Sequence, residues 1–279
     1  MNRRPFLSAL VPTAFLTLTM TACHSTKTDA NQPHEPDVRG QEVDYTADGK
    51  TFKGYIAYDA NRKGKRPGIL VVHEWWGHNE YARMRARMLA ELGYTAFAVD
   101  MYGGGKTADH PADAQKFMQE AISNFEVAKT RFETAMKLLQ SQPTVDPDEI
   151  SAIGYCFGGA VILGMARSGM DLDGVASFHG SLGTKTPAQK GKVHARLLVM
   201  TGGADSMIPK SQVDAFLAEM KAADVDVIFH SYPGAMHAFT NPDATELGKK
   251  LGIPIAYDAK ADKESWNELK RFLKSIYPD

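Results

Sequence analysis

Between residues 150 and 163 the chain reads Ile150-Ser151-Ala152-Ile153, then Gly154-Tyr155-Cys156-Phe157-Gly158-Gly159, then Ala160-Val161-Ile162-Leu163. A β-prone apolar run passes through glycines into a helix-prone apolar run, which predicts a strand, a sharp turn and a helix. Glycine stands two positions before and two after Cys156. Such a turn holds its central residue in a strained conformation, and side chains at the flanking positions would collide with it. It also points the central residue at a helix N-terminus, whose partial positive charge favours a thiolate over a thiol of unperturbed pKa about 8.5. A cysteine buried only for packing would not require the glycines.

From about residue 43 short β-rich apolar runs alternate with longer helical stretches, which predicts an α/β fold: a mostly parallel central sheet with helices on both faces. Strands are expected at 51–58, 68–73, 95–100, 150–155, 174–178, 196–201 and 227–232. Helical spacing covers 80–92, 112–140, 158–168, 211–223 and 258–276. The stretch 112–140 exceeds the usual length of a globular helix, and Ser123-Asn124 offers a break. With 279 residues, 43% of them apolar, the chain can build one sizeable core and not two large ones. In such sheets ligands sit beyond the carboxyl ends of the strands, so the residues just after each strand carry the interest.

Two partners for Cys156 follow in the order nucleophile, acid, base. The apolar run Leu197–Thr201 ends in Gly202-Gly203-Ala204-Asp205, which puts a carboxylate on the loop at a strand's carboxyl end. The run Ile228–Tyr232 ends in Pro233-Gly234-Ala235-Met236-His237, which puts an imidazole on the next such loop. Alone, Asp205 could be a turn residue and His237 a surface histidine. Three residues at three strand ends in this order point instead to a nucleophile, an orienting acid and a base. Backbone N–H groups of Phe157 and of Trp75, after the strand 68–73, are the candidate oxyanion donors. Trp75 and Trp76 beside Gly77 would also wall a pocket with flat apolar surface.

These residues together resemble the dienelactone hydrolase family of α/β-hydrolases, over roughly residues 40–276. The resemblance is carried by His73-Glu74-Trp75-Trp76-Gly77, Asp100-Met101-Tyr102-Gly103, the elbow around Cys156, Gly203-Ala204-Asp205 with Ile208-Pro209, and Gly234-Ala235-Met236-His237-Ala238-Phe239. It implies hydrolysis of small esters, lactones or thioesters through an acyl-cysteine, with no cofactor. It also implies that Glu74 lies beside the thiol and helps set its protonation. Tyr102 is expected in the substrate pocket. Family members acting on dienelactone present arginines after the Asp-x-Tyr segment and four residues past the histidine. Here Gly104 and Asn241 stand in those places, so dienelactone itself is not the expected substrate. Lys106 offers a cation from the same loop, as a point charge and not a bidentate clamp. His179, after the strand 174–178, either lines the pocket or satisfies a loop hydrogen bond.

The first 22 residues differ in kind from the rest. Arg3-Arg4 precede an uncharged, mostly apolar run to Met20, shorter than the roughly 20 residues a spanning helix needs. This predicts a signal peptide. Met20-Thr21-Ala22-Cys23 resembles a lipoprotein cleavage site, with Cys23 the lipidated residue, while Arg3-Arg4-Pro5-Phe6-Leu7 resembles a twin-arginine signal. The expected arrangement is a leader over 1–22, a lipidated cysteine and polar tether over 23–40, and a catalytic domain over 41–279, exported to the periplasm or cell envelope. Lys and Arg total 32 against 33 acids with no block of one sign, so the expected partner is a small molecule and not nucleic acid, and the membrane is met only through the lipid. Cys156 is the one cysteine besides Cys23, which leaves an exported protein with an unpaired thiol. His73, Glu74 and His78 lack the spacing of a zinc helix, and Gly105-Lys106-Thr107 lacks the first glycine of a phosphate loop. A competing expectation is a catalytically idle homologue at the cell envelope that binds its ligand without turning it over.

Overall fold

The computed structural model describes residues 34–278, together with Met1; the leader and Cys23 lie outside the described residues. Eight strands form one sheet in the order β1-β2-β4-β3-β5-β6-β7-β8. They are β1 (Val38–Ala47), β2 (Lys50–Asp59), β3 (Arg66–Val72), β4 (Thr95–Val99), β5 (Val145–Tyr155), β6 (Gly174–Phe178), β7 (Arg196–Gly202) and β8 (Val227–Tyr232). The β1–β2 and β2–β4 pairings are antiparallel and all others parallel. Around the sheet lie α1 (Glu80–Glu91), α2 (Pro111–Ile122), α3 (Phe125–Gln140), α4 (Phe157–Arg167), α5 (Lys210–Ala222), α6 (Ala244–Leu251) and α7 (Ala259–Ile276).

Residues 69–72 of β3 and 197–200 of β7 are apolar without interruption because both faces of the sheet are covered there. In β3, Ile69 and Val71 face α1 and α7 together with Tyr81, Ala86, Leu89, Leu269 and Leu273. Leu70 and Val72, one position out of phase, face the opposite core with Phe132, Leu139, Ile162, Leu163 and Phe216 of α3, α4 and α5. All four strand residues are fully buried. The period of two along the strand thus divides one hydrophobic run between two cores.

Two features depart from the sequence expectations and a third follows them. The domain begins earlier: β1 starts at Val38, inside the stretch 23–40 expected as tether, and the backbone N–H of Asp37 donates to Asp59 at 2.9 Å. β1 is polar and mostly exposed at an edge, so its apolar signal is weak. The helix α6 was not expected, because its eight residues contain only two buried ones. The long helical stretch is two helices, divided where Ser123-Asn124 offers the break. Asn124 leaves helical geometry and its side chain accepts from the N–H groups of Glu126 and Val127 at 3.0 and 3.4 Å, a cap worth about 1 kcal/mol.

Candidate active site

The elbow after β5 forms because its glycines let three backbones meet. A Cβ on Gly158 would lie 2.2 Å from the Val72 carbonyl oxygen, and one on Gly154 would lie 2.4 Å from the Gly158 carbonyl. The turn is clamped by the Cys156 N–H donating to Phe178 O at 2.9 Å and the Gly158 N–H donating to His73 O at 3.1 Å. Cys156 is held at φ +53°, ψ −112°, at the N-terminus of α4. A non-glycine residue there carries strain of about 1–3 kcal/mol, and the half-buried sulfur is projected off the carboxyl edge of the sheet.

Two loops bring its partners. Asp205 follows β7 on a turn fastened to the loop after β8: Gly203 N–H donates to Tyr232 O at 2.7 Å and Ala204 N–H to Ala235 O at 2.9 Å. His237 Nδ1 lies 2.8 Å from Asp205 Oδ2, and His237 Nε2 lies 3.1 Å from Cys156 Sγ. The other carboxylate oxygen, Asp205 Oδ1, accepts the Met207 N–H at 2.8 Å. The ionised carboxylate only accepts, so the proton between it and the ring sits on Nδ1, and Nε2 faces the sulfur. Burial works against the His237 cation, but the Cys156 sulfur and the Asp205 carboxylate outweigh it and hold the imidazole at about 10.

The His237 backbone is gripped from behind by contacts the sequence did not announce. Ala256 N–H donates to His237 O at 3.1 Å, from the segment that follows α6. Three residues on, the Thr240 carbonyl accepts from Arg85 at 2.5 Å, and Arg85 pairs with Asp262 of α7 at 2.6 Å. The Thr240 hydroxyl meets Tyr81 Oη at 2.6 Å and His179 Nε2 at 2.8 Å. His179 is fully buried, edge-on to the His237 ring at 5.2 Å, and burial keeps it neutral. Of the two places considered for it, His179 takes the hydrogen-bonded one and not the pocket wall.

Glu74 is buried, and desolvation lifts its carboxyl to about 7 against the opposing influence of Asn241, His237 and Arg85. Its Oε2 accepts the Asn241 side-chain N–H at 2.6 Å. Glu74 was expected beside the thiol; its direct hydrogen-bond partner is instead Asn241, the residue in the second missing arginine's place. Before it, His73 Nδ1 donates to Glu74 O at 2.5 Å and Nε2 accepts the Met101 N–H at 3.2 Å, as a neutral buried ring must. Tyr102 donates its hydroxyl to Trp75 O at 3.0 Å and packs on Phe157 at 5.5 Å. It therefore holds both candidate oxyanion segments. The backbone N–H groups of Trp75 and Phe157 have no acceptor among the described residues. Trp76 is 5% exposed and packs with Ala108, Ala114 and Ala238, so it is mainly a core residue. Lys106 and Tyr102 line a cavity that Cys156 does not line. Among the described residues no group of three His, Cys, Asp or Glu side chains could hold a metal ion.

Known proteins agree with this architecture. The family model for the dienelactone hydrolase family matches residues 52–277. A dienelactone hydrolase-like promiscuous phosphotriesterase from metagenomic libraries is 31% identical, with a TM-score of 0.78 over 86% of this chain and 98% of its own. A second solved structure, m3DLH, is 33% identical with a TM-score of 0.79 and the same coverage. Protein usf of Aquifex pyrophilus is 28% identical over 84% of this chain and 98% of its own. With an eight-stranded mixed sheet, an elbow after β5 and a family match across nearly the whole described chain, the protein belongs to the dienelactone hydrolase family of α/β-hydrolases.

Proposed function

We propose that this hydrolase cleaves small ester, lactone or thioester substrates through an acyl-cysteine intermediate, with Cys156 as nucleophile, His237 as acid and base, and Asp205 as its orienter. The observation that carries the reading is the continuous relay from Sγ through the imidazole to the carboxylate, at 3.1 and 2.8 Å, beside two unpaired N–H groups.

His237, held cationic, already carries the thiol proton on Nε2, and in the first half-reaction the thiolate sulfur attacks the carbonyl carbon. The carbonyl oxygen gains the negative charge and is met by the N–H groups of Phe157 and Trp75. Collapse breaks the bond to the leaving oxygen or sulfur, which takes the proton from Nε2. In the second half-reaction Nε2 takes a proton from water, the hydroxide attacks the thioester carbon, and the acid product leaves while sulfur departs as the thiolate beside the protonated imidazole. Asp205 fixes the ring tautomer throughout. Glu74, buried near this centre and titrating near 7, tunes the charge that the thiolate and imidazolium meet.

The test is mass spectrometry of the protein after brief exposure to an activated ester, compared with a His237→Ala variant. Acylation confined to Cys156 and slowed by loss of His237 is expected. An adduct indifferent to His237, or none at all, would refute the reading and leave ligand binding without turnover.

A further inference from the structure

His237 opens onto a turn that runs from Ala238 to Thr240. Ala238 is held at φ +59°, a left-handed conformation disfavoured for any residue but glycine. The turn that carries the imidazole is therefore kept in shape by contacts from outside it. Facing it is His179, itself at φ +41°. The His179 ring stands edge to face with the rings of His237 and Phe239, each at 5.2 Å, and 6.0 Å from that of Tyr155.

The hydrogen bonds behind this ring run in one direction. They begin at Arg85, 2% exposed and packed among the rings of Tyr81, Tyr155 and Trp266, because a guanidinium can only donate. Its Nε–H donates to Tyr81 Oη at 3.3 Å. The Tyr81 proton has one acceptor among the described residues, Thr240 Oγ1 at 2.6 Å. Accepting there, the Thr240 hydroxyl keeps its own proton for His179 Nε2 at 2.8 Å. Nε2 then accepts, so the proton of the neutral ring sits on Nδ1, which has no partner among the described residues. The reverse assignment, with Nε2 donating, strands both the Thr240 proton and the Nδ1 lone pair, two unmatched buried groups in place of one.

We infer that Thr240 and His179 are positioning residues: the donor chain from Arg85 through Tyr81 and Thr240 fixes His179 as a neutral ring protonated on Nδ1, and that ring holds the His237 imidazole in line between Cys156 and Asp205. The inference rests on His237 being the base of the proposed reaction. Its charge logic follows from the geometry. A second imidazolium against His237 would repel it, and a ring whose Nε2 already accepts from Thr240 has no lone pair free to take a second proton. The same turn is tied twice, since Arg85 also donates to the Thr240 carbonyl at 2.5 Å while paired with Asp262. Replacing the Thr240 side chain leaves that backbone tie in place and removes only the link to the ring.

Alkylation of Cys156 by iodoacetamide, followed across pH by mass spectrometry of the full chain, tests this in the parent, Thr240→Val, Thr240→Ser, His237→Ala and Asn124→Ala, which removes the α3 cap. Thr240→Val keeps the shape of the side chain without its hydroxyl. It should slow alkylation about threefold or more near about pH 6, where a thiolate needs its imidazolium, and by less than about twofold near about pH 10, where any thiol is ionised. Thr240→Ser should restore the parent profile, and Asn124→Ala should keep it. NMR of the ring nitrogens in the parent should find His179 neutral with its proton on Nδ1, and this reads the tautomer even if Thr240→Val does not fold. A Thr240→Val profile equal to the parent's, one lowered by the same factor at every pH, no rescue by serine, or a His179 proton on Nε2 would each overturn the inference. His237→Ala separates the two readings. If it leaves the profile unchanged, the catalytic reading falls and the positioning role with it; if it alters the profile and Thr240→Val does not, only the positioning role falls.

Discussion

Replacing Asp205 by Asn changes one atom and reverses a hydrogen bond. Asp205 uses both oxygens, Oδ1 for the Met207 N–H and Oδ2 for His237 Nδ1. Asn has one acceptor and one donor end. With its oxygen kept on Met207, its amide N–H₂ faces Nδ1 and forces the ring proton onto Nε2, the nitrogen that must accept the thiol proton. With the amide turned round, the Met207 N–H faces another donor. Either way the carboxylate charge is gone from beside the imidazolium. For charges about 4 Å apart at an effective dielectric of 20, that attraction is about 4 kcal/mol, which in an activation barrier is roughly a thousandfold. The assay is the rate of Cys156 acylation by an activated ester as a function of pH, with thermal unfolding as the control for folding. The loss should be near a thousandfold at pH 7 and should shrink as pH rises past about 8.5, where an ordinary thiol ionises without a base. A folded variant losing less than about tenfold, or one whose defect is the same at every pH, would refute the proton-relay argument.

Two other substitutions probe the buried acid and the elbow. Glu74 titrates near 7 in the folded protein against an ordinary 4.5. Below both values it is protonated folded and unfolded and has no effect on stability; as pH rises the unfolded chain ionises first, and the penalty on folding levels off above 7 at about 3 kcal/mol. Glu74→Gln keeps an acceptor for Asn241, so urea denaturation should show it gaining on the parent between pH 4.5 and 7, whereas parallel stability curves would contradict the raised pKa. Gly158→Ala drives a methyl into the Val72 carbonyl, so the elbow must part from β3 with a loss of more than about 2 kcal/mol and of acylation. Gly64→Ala, at φ +82° with nothing within 4 Å, should lose only the 1–2 kcal/mol of backbone strain, about the same for any open left-handed site. Equal melting shifts for the two would show that crowding at the elbow is not decisive.

How far residue order alone reaches, and where the folded chain takes over, follows the range of the forces involved. The elbow is local: a strand, two glycines and a helix lie within fourteen residues, and the steric demand at Gly154 and Gly158 has a one-residue signature. The order of Cys156, Asp205 and His237 is likewise readable, as are the apolar runs 69–72 of β3 and 197–200 of β7, because burial on two faces writes a continuous hydrophobic run. β1 and α6 were not readable, since an exposed edge strand and a helix with two buried residues place few apolar side chains at any period. The contacts joining distant segments were silent as well. Glu74 meets Asn241 across 167 positions, and Arg85 meets Asp262 across 177. His179 finds Thr240 rather than a pocket. Sequence spacing carries short-range geometry, but which buried polar groups satisfy one another is decided only when the chain is folded, and there the charge state of the site is set.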